Sequence, residues 1–246
     1  MSSNLSAFDS TVFGIQNTAM PAQLVQLEAA PDLVDRVYRT LIDAISDGSL
    51  APGQRITQED IAHQLAVSRQ PVLQALRLLK KDGFVEDAPG RGLQVAQLDP
   101  EWMRKVYQVR GALDALAARL AAERRFRLPA ALLQQGRETA RGTDVMAMID
   151  ADLAFHAAIY AAAGNPLIEQ SAQLHWRHLR RVMGAVLQQT GQREAVWDEH
   201  EAIANAIAAG DGERAAHLIE EHGRHASDNL GERLDFVLKA RDAKPS

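Results

Sequence analysis

Residues 57–79 read TQEDIAHQLAVSRQPVLQALRLL, and this stretch decides the fold. Thr57 is placed to N-cap a helix whose third residue is Asp60, a variant of the capping box, and Ile61, Ala62 and Leu65 then share one face. Ala66 and Val67 make a turn. Ser68 is placed to N-cap the next helix, and Pro71 falls in its first turn, where a missing N–H costs no intrahelical bond. Along that second helix Val72, Ala75, Leu76 and Leu79 recur at helical spacing and turn inward, while Arg69, Gln70, Leu73, Gln74 and Arg77 line the opposite face. The pattern predicts a helix-turn-helix. An exposed face with Arg and Gln near its N-terminal end suits the major groove of double-stranded DNA, where Arg forks onto guanine and Gln onto adenine. Two short amphipathic helices and a tight turn also occur in bundles that bind no DNA.

The flanks favour the DNA reading. Residues 84–86 and 93–96 have strand character, and Asp87-Ala88-Pro89-Gly90-Arg91-Gly92 between them is a Gly/Pro turn with a cation at its tip. A small β-hairpin directly after a helix-turn-helix is a wing, which adds a backbone or minor-groove contact. Upstream, Leu33, Val37, Leu41 and Ile45 form an apolar stripe that predicts a helix over 32–47, stopped by Gly48.

Gly48, Leu50, Pro52, Gly53 and Ile56, then Val67-Ser68-Arg69, Pro71-Val72 and Ala75-Leu76, then Asp82-Gly83-Phe84-Val85 and Gly90-Arg91-Gly92, resemble in order and spacing the winged-helix domain of the GntR transcription regulators. That resemblance implies DNA contacts for Ser68, Arg69, Gln70, Gly90, Arg91 and Gly92. Helix geometry adds Gln74 and Arg77. One departure stands out: the family usually carries Arg-Glu after Pro-Val, and here the positions hold Leu73 and Gln74. The base-reading role of that arginine does not transfer to a leucine, so an altered operator or a lower affinity is expected.

The 246 residues, 46% hydrophobic and 24% charged, suit one large or two ordinary globular domains. The absence of cysteine excludes disulfides and thiolate metal sites and suits a cytoplasmic protein. No Lys or Arg precedes Arg36 and no apolar run is long enough to span a bilayer, so neither a signal peptide nor a membrane association is expected. The net charge is −5, and residues 31–98 hold 8 basic and 9 acidic side chains. A DNA-binding domain without net positive charge must rely on where its cations sit, and is expected to need a second copy, a homodimer reading the two half-sites of a palindromic operator.

Beyond the wing every segment has helical periodicity. Six helices are expected, over 100–124, 129–141, 144–163, 166–189, 192–209 and 212–240, separated by Leu128-Pro129, Gly142-Thr143, Gly164-Asn165-Pro166, Gly191 and Gly210-Asp211-Gly212. The expected fold is therefore mainly α: a mobile N-terminal arm over 1–30, a winged helix-turn-helix over 31–98, and an antiparallel all-α bundle over 99–240.

Seven of the eight histidines lie in the bundle half. Asp152 and His156, four apart, project from one helical face, and either share a cation or form a surface hydrogen-bonded pair. His200 and His222 sit on the last two helices. An Asp/His set without Cys suits zinc, manganese or nickel by ligand type. The run from Asp152 through Phe155, His156 and Gly164-Asn165-Pro166, and then His200, Ile203, Ala206, Ile207, Gly210-Asp211, Ala215 and His222, resembles the FCD effector domain of many GntR regulators, in its six-helix form. The resemblance implies a divalent metal, zinc foremost, held by Asp152, His156, His200 and His222.

Arg110, in V-x-x-V-R-x-x-x-D, matches a family arginine near the pocket, which implies a contact to a small carboxylate effector; a salt bridge to Asp114 is the alternative. His225 is the substitute ligand should the register differ, and His217 is expected in solvent or behind the ligands. Glu199 and Glu201 are expected to point away from His200, and Arg177, Arg180 and Arg181 to line the pocket or a dimer surface. The expected function is a transcription regulator, a repressor of a metabolic operon that answers to a small organic acid, rather than an enzyme. A metal-dependent enzyme or a metal sensor using the same four residues is the competing reading.

Overall fold

A computed structural model of the chain describes residues 33–187 and 194–242. The arm expected over 1–30 lies outside them, as do the helix ends expected at 189 and 192. Among the described residues the chain is mainly α, with nine helices and one small sheet.

The N-terminal part holds α1 (Leu33–Ser46), α2 (Gln58–Gln64) and α3 (Arg69–Lys81). Thr57 caps α2 as its sequence suggests: its Oγ1 accepts from the Asp60 N–H at 3.1 Å and donates to Asp60 Oδ2 at 2.7 Å. Ala66 takes a left-handed φ of 51° in the turn, and Pro71 enters the first turn of α3. Val37, Leu41, Ile42 and Ile45 of α1 pack with Ile61, Val72, Ala75, Leu76 and Leu79 into one core; Leu33, expected on that stripe, is exposed at its start.

The wing differs from the expected two-stranded hairpin. β2 (Val85–Asp87) and β3 (Leu93–Val95) are joined by β1 (Arg55–Ile56), and the antiparallel order is β1-β3-β2. Two residues carry no periodicity to read. What makes β1 a strand is the turn before it, where Gly53 at φ 80° donates to the Val95 carbonyl at 2.9 Å, a conformation side chains resist.

The C-terminal part holds α4 (Pro100–Glu123), α5 (Ala130–Arg141), α6 (Val145–Ala163), α7 (Pro166–Val186), α8 (Glu194–Ala209) and α9 (Gly212–Asp242). Asp99, Asp144 and Asn165 cap α4, α6 and α7 by accepting backbone N–H groups, and Gly164 ends α6 in the left-handed region. Tight packing has a sequence signature at Gly136 of α5, where a Cβ would overlap the indole of Trp197 on α8 at about 2.0 Å. α6 is long and apolar enough, by composition, to cross a membrane. Its contacts with α4, α5 and α7 explain that composition, since a helix packed on several sides is apolar all round.

The winged helix and the bundle belong to one compact unit. Leu174 of α7 packs on the helix-turn-helix core, Arg181 Nη2 donates to the Ala96 carbonyl at 2.6 Å, and the His178 ring stacks on Phe84 at 4.0 Å while its Nε2 meets the Asp82 carbonyl at 3.0 Å. Tyr38 of α1 donates to Asp82 at 2.7 Å. These contacts narrow one expectation. Arg181 binds the wing base and Arg180 pairs with Asp150, so of the two alternatives neither lines the cavity beside the histidine cluster.

Candidate functional site

Two surfaces carry the candidate chemistry. On α3, Arg69, Gln70 and Arg77 are exposed, with Leu73 and Gln74 half-buried between them. Ser68 has the extended backbone of an N-cap, φ −70° and ψ 162°, yet its hydroxyl makes no cap bond, contrary to expectation. The exposed hydroxyl is left for another partner. Arg69 pairs with Glu59 of α2, a partner that spacing did not suggest, because the two helices meet across the turn. In the wing tip Gly90 and Gly92 take φ of 90° and 93°, and Arg91 is exposed between them. Arg55, unremarked in the sequence, braces the tip from β1 by donating to the Arg91 carbonyl at 2.9 Å and the Pro89 carbonyl at 2.7 Å. Its partners are backbone atoms 34 and 36 residues away, which no local pattern signals.

Inside the bundle, α6, α8 and α9 bring Asp152, His156, His200 and His222 together, one ligand atom of each lying within 4.8 Å of the others. His200 Nε2 is 3.3 Å from Asp152 Oδ1 and 3.3 Å from His222 Nε2. Two ligand atoms on one ion with bonds of about 2.0–2.1 Å lie about 3.3 Å apart at the tetrahedral angle. These two spacings therefore fit a zinc-sized ion, while the set as a whole spreads over as much as 4.8 Å. Glu199 points away from His200, as expected, and there meets the last helix: it accepts from His222 Nδ1 at 2.8 Å and from His225 Nδ1 at 3.0 Å. Holding Nδ1–H in that bond leaves the His222 Nε2 lone pair for the cluster. His225, itself half-exposed, serves Glu199 rather than the cluster, and His217 is exposed near Glu221.

Arg110 lies fully buried beside the cluster. Its Nε donates to Asp114 Oδ2 at 2.9 Å, its Nη2 donates to His156 Nε2 at 3.0 Å, and its guanidinium lies 4.1 Å from the Trp176 ring centre. The salt bridge raised as the alternative for Arg110 therefore forms, and it is extended by Tyr160, which donates to Asp114, and by Trp176, which donates to Tyr160 at 3.2 Å. The His156 ligand role requires either that the guanidinium release Nε2 or that Nδ1, buried without a hydrogen-bond partner, serve instead.

Electrostatics match a cation site. Burial pushes the His200 imidazole down to about 4 against the pull of Asp152, and burial with Arg110 lowers His156, so both are neutral and their lone pairs available at neutral pH. Burial alone would raise the two aspartates. The His200 hydrogen bond, with the neighbouring imidazoles and the Arg110 guanidinium, holds Asp152 below the usual carboxylate range, and Arg110 holds Asp114 at about 2. A cavity of about 290 Å³ opens on the cluster, with Arg110, Asp152 and His222 in its wall.

A winged helix-turn-helix joined to a helical bundle defines a DNA-binding regulator. Residues 33–95 match the family described as bacterial regulatory proteins, gntR family, and residues 105–225 match the FCD domain. The chain belongs to the GntR family of transcription regulators, which bind DNA operators, and carries an FCD domain; it is not an enzyme. Among its relatives are the regulator LutR of Bacillus subtilis, 29% identical over 76% of this chain and 95% of LutR, and the "Probable D-xylose utilization operon transcriptional repressor" of Paenarthrobacter nicotinovorans, 28% identical over 77% of this chain and 85% of the relative. Among solved structures, a GntR regulator of Rhodococcus sp. RHA1 is 25% identical with a TM-score of 0.65, and E. coli McbR/YncC shares the fold at 22% identity and a TM-score of 0.67; each match covers 80% of this chain and 96% of the other.

Proposed function

We propose that the protein is a homodimeric repressor of a metabolic operon, acting in the cytoplasm, whose bundle holds a divalent metal and a small organic acid. The observation that carries the reading is the convergence of one carboxylate and three imidazoles within 4.8 Å, beside a buried arginine and a cavity. Asp152, His156, His200 and His222 hold the ion, zinc best fitting the ligand set and spacing. Bound there, the ion supplies a Lewis-acidic point for a carboxylate. Arg110 supplies a planar pair of N–H donors to the same group once it turns from His156.

At the other end, Ser68, Arg69, Gln70, Gln74 and Arg77 enter the major groove, and Gly90, Arg91 and Gly92 reach the backbone or minor groove beside it. Two copies cover the two halves of a palindrome. A repressor role is supported by the xylose-operon relative named above.

The test is DNase footprinting of the metal-analysed protein on the DNA flanking its own gene, with and without small carboxylic acids and a chelator. Protection of a short palindrome that an acid weakens, with about one metal ion per chain lost in His156→Ala, is the expected result. Protection indifferent to acids and chelator would remove the effector reading, and a metal-free wild type would remove the site assignment.

A further inference from the structure

We infer that the acid which fits this cavity is a dianion, its second acidic group recognised by Arg233 of α9. The inference rests on the effector reading above and adds a second recognition point to it. The cavity that opens on the four-ligand cluster extends along α9, where His225, Asn229 and Arg233 follow one another at four-residue spacing and all contribute to its wall. Arg233 stands eleven residues beyond His222, a rise of about 16 Å along the helix axis, and a helical side chain leans back toward the N-terminus, here toward the cluster. Arg233 is half-buried, and no carboxylate pairs with it among the described residues. Arg104, its neighbour across the helix pair, takes Asp235 instead.

Arg110 is already bonded to the ionised Asp114, so among the described residues Arg233 is the cation of the wall that faces no carboxylate. An acid whose first carboxylate sits at the cluster end meets it with a second acidic group. Between the two ends the wall is apolar, built from residues such as Ile149, Met183 and Leu230, which suits a hydrocarbon spacer rather than a polyol.

The experiment measures binding of matched pairs, hexanoate against hexanedioate and octanoate against octanedioate, long enough to reach from the cluster to Arg233, to the full-length zinc-loaded protein by calorimetry. The wild type should favour a dicarboxylate over its monocarboxylate partner by at least about tenfold, the effect of one charge-assisted hydrogen bond. Arg233→Gln should reduce that preference to about one while keeping its zinc content, its melting temperature and its monocarboxylate affinity. Arg233→Lys should keep part of the preference, because the charge remains and the fork is lost. Equal binding of both members of each pair by the wild type, or an unchanged preference in Arg233→Gln, would overturn the inference and leave the effector site standing. Failure of every acid to bind the zinc-loaded wild type would overturn the inference together with the effector reading.

Discussion

Glu199 shows how much of the site depends on a residue one step from a ligand. It precedes His200, about 100° around α8, and so cannot face the same point as that histidine. α9 packs on that side and delivers His222 and His225 to its two oxygens. The hydrogen bond from His222 first, and that from His225 with it, hold the Glu199 carboxyl below its ordinary value despite partial burial. The carboxylate is thus ionised and fixes the tautomer and angle of His222. Glu199→Gln should therefore weaken zinc binding about 10- to 100-fold while leaving the fold intact, as loss of an outer carboxylate does at other histidine–metal sites. Chelator competition followed by circular dichroism would check it; an unaltered zinc affinity would mean that packing alone orients His222. That Asp152, His156, His200 and His222 come together was legible in the sequence through a family pattern. Glu199 was not, because helical periodicity reports which residues share a face and says nothing of which neighbour covers the next one.

At the scale of elements, α7 joins the two parts of the molecule. Leu174, His178 and Arg181 face the winged helix, while Trp176, Leu179 and Val182 belong to the bundle's interior. The starts of α2 and α3 and the turn between them were readable from Thr57, Ser68 and Pro71, since helix starts and turns are set locally. β1 was unreadable, being two residues that become a strand only because β3 lies beside them. The docking of α7 was unreadable for the same reason. Its histidine gives a measurable consequence. Burial, with Arg181 adding to it, pushes His178 down to about 4, against about 6.5 in an unfolded chain. Between those values the unfolded state takes up a proton that the folded state refuses, so stability falls as pH falls across that window. The gap corresponds to about 3 kcal/mol. His178→Gln keeps a donor for the Asp82 carbonyl and removes the titration, and groups such as His200 titrate alike in both proteins. Urea unfolding at about pH 7 and about pH 4.5 should show a smaller acid loss in the variant; equal losses would mean that His178 is freely protonated in the folded protein.

For the molecule as a whole, the proposed function requires that a ligand in the bundle reach a helix in the groove. The DNA-binding half carries no net positive charge, so its affinity rests on the placement of a few cations, and small reorientations of the reading head should matter more than for a strongly basic domain. The contacts that fix this orientation converge on α7, and Arg181 is the one that couples charge to it. Its guanidinium is buried and holds the Ala96 carbonyl at the base of the wing, while burial brings it down to about 10. The same helix sends Met183 into the wall of the ligand cavity less than one turn further on. A shift of α7 on ligand binding would therefore be passed to the wing through Arg181. Arg181→Met keeps the apolar stem and volume but loses the hydrogen bond. Operator affinity without acid should stay within about threefold of the wild type, whereas the factor by which a saturating acid weakens that affinity should shrink at least about fivefold, within the usual range of coupling energies. Linkage requires that the effect of operator on acid affinity shrink by the same factor, so anisotropy titrations in both directions test the claim twice. A variant that retains the full response in both directions would place the coupling elsewhere, in the Leu174 contact or the linker at 96–99, and Arg181 would then be a static clasp.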